Sequence, residues 1–176
     1  MNFIFSFIII VSFSWSIGLQ GLVIPEDAYV LSTAGSGIAD GVSPSLNPAT
    51  NETKQPYFQF SLNNWLGDIT GSHTAYHWGK GMHHAVSIQS WNAKELELWG
   101  DKPNSSPLGT FGVYYIAASY SISHHFNTSH RLGLRIQTNY SHLFSNTMSG
   151  TTIDIGALIS LNKFMDVGLT IKNLGF

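Results

Sequence analysis

The sequence predicts an all-β fold, an antiparallel transmembrane β-barrel of outer-membrane type, preceded by a Gly-rich N-terminal hatch segment. Three observations predict it. The first is residues 131–141, where Leu132, Leu134, Ile136, Thr138 and Tyr140 share one parity and Arg131, Gly133, Arg135, Gln137, Asn139 and Ser141 the other. A strand sends alternate side chains to opposite faces, so this segment has one apolar and one polar face. It is also long: soluble strands run to about 5–6 residues, whereas a bilayer crossing needs roughly 9–11. The second observation is recurrence, because one such segment is weak evidence and a succession is strong. The third is composition. Only 10% of residues are charged, against roughly 25% in a soluble domain, yet mean hydropathy is just +0.06. A helical membrane protein is far more apolar, while a barrel averages near zero because each strand turns one face to lipid and one to water.

The chain has 176 residues, enough for one domain and a substantial core. It opens on an apolar run over residues 3–13, too short to span a membrane. Ser14, Ser16 and Gly18 offer small-residue cleavage positions, so residues 1–18 are expected to be a signal peptide, although no Lys or Arg precedes the run. Beyond it no apolar run approaches the ~18 residues of a transmembrane helix. Residues 19–56 form the hatch segment. From Ser32 onward it reads STAGSGIADGVSPSLNPAT, whose three glycines and two prolines argue against a regular element. Gly35, Gly37 and Gly41 permit close backbone approach, while Ser32, Ser36 and Asp40 are expected to hydrogen-bond lumen side chains. A plain linker fits the same composition.

Residues 57–176 supply the strands. Residues 57–66 put Phe58, Phe60, Leu62 and Leu66 opposite Gln59, Ser61 and Asn63, with Asn64 interrupting the apolar parity. Residues 72–78 alternate Thr74, Tyr76 and Trp78 with His73, Ala75 and His77; residues 84–90 alternate Val86 and Ile88 with Ser87 and Gln89. Both are short for a crossing and must borrow flanking residues. Residues 110–123 carry Tyr114, Ile116, Ala118, Tyr120 and Ile122 against Ala117, Ser119, Ser121 and Ser123. After the segment at 131–141, residues 152–161 set Ile153, Ile155, Ala157, Ile159 and Leu161 against Asp154, Gly156 and Ser160. Residues 166–175 set Val167, Leu169 and Ile171 against Asp166, Thr170 and Lys172. Arg135, Gln137, Asn139 and Asp154 are thereby expected to face the water-filled lumen. Of the tryptophans near strand ends only Trp78 has the parity of an interfacial girdle; Trp65 and Trp91 fall on the polar parity.

Residues 79–81 make a tight turn. Residues 92–109 are expected to form one long loop, because 94–99 is short and carries Glu95 and Glu97. Putting short turns in the periplasm and long loops outside places 92–109 and 144–150 on the outer side. Seven strands result, or eight if 94–99 counts. Closed single-chain barrels are even-numbered, so the expectation is a partial barrel, the N-terminal half of a larger one.

Several of these residues carry a resemblance. The stretch from Ser32 that ends in Asn47-Pro48-Ala49 is similar to the N-terminal signature of the PorV/PorQ family, and residues 154–158 and 167–175 are similar to two of its later strand motifs. Leu46 departs from that family's larger, often aromatic residue before Asn-Pro-Ala. The last motif also normally lies mid-chain. That family in turn resembles FadL-type barrels of fourteen strands, whose N-terminal segment enters the lumen. The resemblance implies an outer-membrane protein, exported by its signal peptide, that handles secreted protein cargo in type IX secretion. Its partners would be outer-membrane lipid, cargo and other secretion components. Gly35, Gly37, Asp40, Asn47 and Pro48 carry the hatch motif. A FadL-like channel for hydrophobic small molecules is the alternative.

Other chemistries find little support. The net charge of −2 and the lack of a basic cluster exclude a nucleic-acid footprint, and the absence of cysteine excludes disulfides, thiolate zinc sites and lipoprotein acylation. Eight histidines include His73 and His77 on one face and the doublets His83-His84 and His124-His125, but nothing in the spacing fixes convergent ligands. No metal, cofactor or catalytic residue is assigned. Ser123 and His125 are the nearest candidates for an embedded hydrolase, and they lack an orienting acid. Sequons at Asn51, Asn104, Asn127 and Asn139 carry no expected role in a bacterial envelope.

Overall fold

The structure is a computed structural model that describes residues 24–40, 42–65, 69–101 and 105–175. The expected signal peptide lies outside these residues, as does Gly41. Seven strands follow one another in a single antiparallel sheet, each paired with its sequence neighbours. They are β1 (Tyr57–Trp65), β2 (Ile69–Lys80), β3 (Met82–Leu98), β4 (Gly109–His125), β5 (His130–Leu143), β6 (Asn146–Asn162) and β7 (Met165–Gly175). The sheet is open, with β1 and β7 as its edges. Among its described residues the N-terminal segment contributes one short helix, α1 (Ala28–Ser32), and a 3₁₀ turn at Pro48–Thr50. No helix among the described residues is long and apolar enough to cross a membrane.

Two sequence expectations about loops are corrected. Residues 94–98 are neither loop nor separate strand; they prolong β3, which runs 17 residues. Between the pairs Ala93↔Val113 and Leu96↔Phe111 two residues of β3 oppose one of β4, and Glu95 takes φ 55°. This β-bulge shifts the alternation by one residue, which hides the continuation from a period-2 reading. Likewise 144–150 is no long loop. Residues 144–145 make the turn, and β6 starts at Asn146, with Leu143↔Asn146 closing the hairpin.

The two faces of the sheet are chemically inverted relative to a soluble protein. Phe58 is 74% exposed, Ile88 61% and Leu169 60%, while Arg135 is 4% exposed, Asp154 2% and Asn139 0%. Burial alternates from His130 to Ser141 along β5, taking in Gly133, Arg135, Gln137 and Asn139. The buried face is covered by the N-terminal segment: its 3₁₀ turn packs on β4, β5 and β6 and its helix touches β1. The sheet also curls around that segment. One cavity of about 30 Å³ touches Gln59, His73, Ser87, Ser119 and Arg135, side chains of five consecutive strands. On a flat sheet these would spread over roughly 19 Å at 4.8 Å per strand.

Candidate functional site

The site is the seat of the N-terminal segment on the polar face. The segment first organises itself. Asp27 caps α1, its Oδ1 accepting from the Val30 N–H at 2.9 Å. Asp40 ties the loop that follows, accepting from the N–H groups of Val42 (2.8 Å) and Ser43 (3.1 Å), from the Ser43 hydroxyl and from the Tyr29 hydroxyl. Pro48 opens the 3₁₀ turn, and Asn47 before it is extended at φ −143°, ψ 110°, the geometry that a following proline favours.

Asn47 is fully buried, and its carboxamide is used at both ends. Oδ1 accepts from Ala49 N–H at 3.0 Å, while Nδ2 donates to the Ile38 carbonyl at 2.8 Å and to the Ala157 carbonyl of β6 at 3.0 Å. The wall makes room with glycine. Gly133 and Gly156 pair across β5 and β6. A Cβ on Gly133 would collide with the Pro48–Ala49 peptide, and one on Gly156 with the Asn47 side chain; Gly168 of β7 lies equally close to the Ile38 carbonyl. These strand glycines allow the close approach that the sequence suggested for hatch glycines. Gly35, by contrast, has open space around its Cα, and Gly37 meets only Asp40 and Ser43 of its own segment.

Charge fixes the other half of the seat. Arg135 holds Glu26 through two contacts, Nη1 to Oε1 at 2.6 Å and Nη2 to Oε2 at 2.7 Å, with 5% and 12% of the side chains exposed. Burial alone pushes the Glu26 carboxyl up. The Arg135 charge and hydrogen bonds outweigh that, with Lys172 adding to them, and hold it below the usual carboxylate value. The Ser45 carbonyl accepts from Lys172 Nζ at 2.7 Å and from Arg135 Nη1 at 3.4 Å. Where the segment leaves for β1, Asn51 meets His77 and Ser121, the Ser123 hydroxyl donates to the Asn51 carbonyl, and Arg131 pairs with Glu52.

The expected lumen residues therefore lie packed under protein rather than in open water. Arg135 reaches the N-terminal segment. Gln137 and Asn139 instead join Tyr115 in a network within the wall, the Tyr115 hydroxyl and Gln137 Nε2 each donating to Asn139 Oδ1 at 2.6 Å. Asp154 accepts from the Asn173 N–H at 2.7 Å. Ser32, Ser36 and Asp40 bond within their own segment and do not reach the wall, a correction to the expectation. Ser123 and His125 serve different partners, Asn51 and Glu52. Among the described residues no three His, Asp or Glu side chains are gathered as metal ligands. Glu26, Ser45, Lys172 and the wall glycines were missed from sequence. Glycine at a polar-parity position inside a strong strand was the one available signal.

At the opposite end of the covered face the lining turns apolar. Trp91, Tyr115 and Ala117 form a buried cluster with Ile24 and Ile69 against it, bordering a cavity of about 200 Å³ that Val113, Leu143 and Met148 also line. No family model, curated protein or solved structure matches the chain.

Proposed function

We propose that this chain is part of the wall of an outer-membrane β-barrel of the PorV/PorQ type. Its interior is stopped by the N-terminal hatch, and its work is the non-enzymatic handling of secreted protein cargo at the outer surface. The observation that carries the membrane reading is the course of the apolar belt across the bare face. In the row Lys80↔Met82↔His124↔Leu132↔Ala157↔Leu169, the β2 end is charged and the β6–β7 end apolar. In the row Phe60↔Thr74↔Ile88↔Ala118↔Thr138↔Thr151, the β1 end is apolar and the β6 end polar. Both borders drift the same way, so the belt runs oblique to the strand rows, as a level bilayer does across tilted strands.

Aromatic and imidazole rings mark the borders. Tyr76, Trp78, His84 and Tyr120 stack in sequence near one border, with centroids 5.4–6.1 Å apart. Tyr114 stacks with His142 at 5.0 Å and packs against Tyr140 at 5.9 Å near the other. Tyr114 and His124 stand ten residues apart on β4. That is about 33 Å along a strand and, at a tilt near 40°, about 25 Å of height, the thickness of the apolar band in such barrels. A spanning sheet needs both edges paired, so this reading requires further strands beside β1 and β7, from this polypeptide or another.

The cargo role rests on the PorV/PorQ resemblance, and the tethered hatch supports it, because a lumen stopped by a buried ion pair is a poor conduit. The second reading, a FadL-like channel for hydrophobic small molecules, is favoured by the apolar cavity beside Trp91 and Ile24. One experiment separates them. Folded protein in lipid vesicles should take up no hydrophobic fluorophore across the wall and should retain a secreted cargo protein on its outer loops. Uptake that a Trp91→Ala change alters, without cargo retention, would replace the first reading by the second. Failure to partition into detergent or bilayer, with no heat-dependent gel mobility, would end both.

A further inference from the structure

Three residues that line one small cavity each carry a buried polar atom that meets no hydrogen-bond partner among the described residues. The cavity lies between the N-terminal segment and β1–β5, has a volume of about 30 Å³, and is lined by Glu26, Asp27, Ser45, His73, His77 and Arg135 among others. The atoms are Ser45 Oγ, His73 Nδ1 and His77 Nε2. His73 and His77 are each 3% exposed and Ser45 9%. The tautomer of His77 follows from its one partner: Nδ1 lies 3.2 Å from Asn51 Oδ1, an acceptor, so Nδ1 carries the proton and Nε2 is left as a bare acceptor. A buried polar atom without a partner is destabilising, and three such atoms on residues lining one cavity point to what occupies it.

We propose that this cavity is a built water site, holding about two ordered molecules that join the N-terminal segment to β2. The volume sets the number, since a water needs roughly 10–15 Å³ measured this way. The spacing sets the arrangement. His73 and His77 lie four residues apart on the same face of β2, about 13 Å between their Cα atoms, and two waters give each imidazole its own partner. One water sits toward each imidazole, and Ser45 takes one of the two as a partner. Gln59 and the Ser87–Ser119 hydroxyl pair, 2.7 Å apart, supply further hydrogen-bonding groups on the lining. Charge argues for water over an ion. Glu26 and Arg135 neutralise each other, and the Asp27 carboxylate is engaged in capping α1 through the Val30 N–H. The consequence is an asymmetric seat. The segment is glycine-tight where residues 47–49 meet β5 and β6 and water-bridged against β2, and the inference stands whether or not lipid covers the other face.

The test is a crystal structure of the folded chain in detergent, at a resolution that shows ordered water, with crystals soaked in rubidium or bromide salts. The expected result is two peaks that between them lie within hydrogen-bond distance of His73 Nδ1, His77 Nε2 and Ser45 Oγ, without anomalous signal. Anomalous density at the cavity would overturn the proposal in favour of an ion site, and collapse of side chains into it would remove the site. A solution measurement stands beside it. Magnetisation should pass from long-lived water to the ring protons of His73 and His77. Its absence, with both rings protected from exchange in the same sample, contradicts the proposal.

Discussion

The two faces of this sheet obey opposite rules. On one, Phe58, Phe60, Leu62, Ile88, Ile155 and Leu169 stand exposed, and no element among the described residues is layered over them. On the other, Arg135, Gln137, Asn139 and Asp154 are nearly inaccessible, each hydrogen-bonded to the N-terminal segment or to the wall itself. Burying a charge is costly unless it is paired, and contiguous apolar surface on this scale marks an interface. The difference teaches that the two sides are satisfied in different ways: paired polar groups and close backbone packing hold the inner face, while the outer face presents apolar side chains that call for an apolar covering. The N-terminal segment covers the inner face, and in the function proposed above a membrane would cover the outer one.

The comparison breaks most sharply at Arg135. Its change to Met leaves Glu26 buried without its partner, a loss of about 3–5 kcal/mol for a broken buried pair. Amide exchange across residues 47–51 should rise steeply while accessibility of the bare face stays unchanged. A parallel loss on both faces would mean that the segment and sheet do not form separable layers.

Glycine sharpens the same contrast with a smaller effect. Gly156→Val forces a side chain into Asn47, and overpacking of this kind costs about 1–3 kcal/mol. Gly112→Val is the control, because the nearest atom to a Cβ there is the Ala93 carbonyl oxygen at 3.6 Å. Protease sensitivity of the N-terminal segment should increase for the first variant and not for the second. Equal responses would remove the close-approach argument.

The pH effect is the smallest. The Glu26 carboxyl is held below its usual value in the seated segment, Arg135 outweighing burial. A depressed carboxylate contributes stability that is fully present above its free value, near 4.3 for glutamate. That contribution fades as pH falls through the lowered value. Protection of residues 47–51 should thus hold from neutral pH to about 5 and decline below about 4. In Glu26→Gln the decline should be shallower, and an identical profile would move the effect to another group.

Much of the sheet was legible because a period of two survives wherever one face is apolar, as in β5 and β6. It failed where the cause was not periodic. The Glu95 bulge shifts the parity of β3, and Asn146, Thr147 and Ser149 extend β6 without apolar alternation. The Phe144–Ser145 turn carries no glycine, although Phe144 sits at φ 57°. The seat was legible only in part. Asn47-Pro48 announces a local cap and an extended entry, but its bond to the Ala157 carbonyl links residues 110 positions apart. Glu26 and Arg135 are 109 apart. Pairings at that range are set by the fold, and one sequence gives no register between a segment and the wall it lands on.

The central claim is that lipid covers the bare face along an oblique belt. Spin labels placed singly at positions 80, 118, 157 and 169 in folded protein in lipid vesicles test it most directly. Positions 118, 157 and 169 should be open to oxygen and closed to an aqueous nickel chelate, and position 80, on the same strand row as 157 and 169, should be open to the chelate. Chelate access at all four positions would contradict the membrane reading. Protection at 80 equal to that at 157 would contradict the tilted belt.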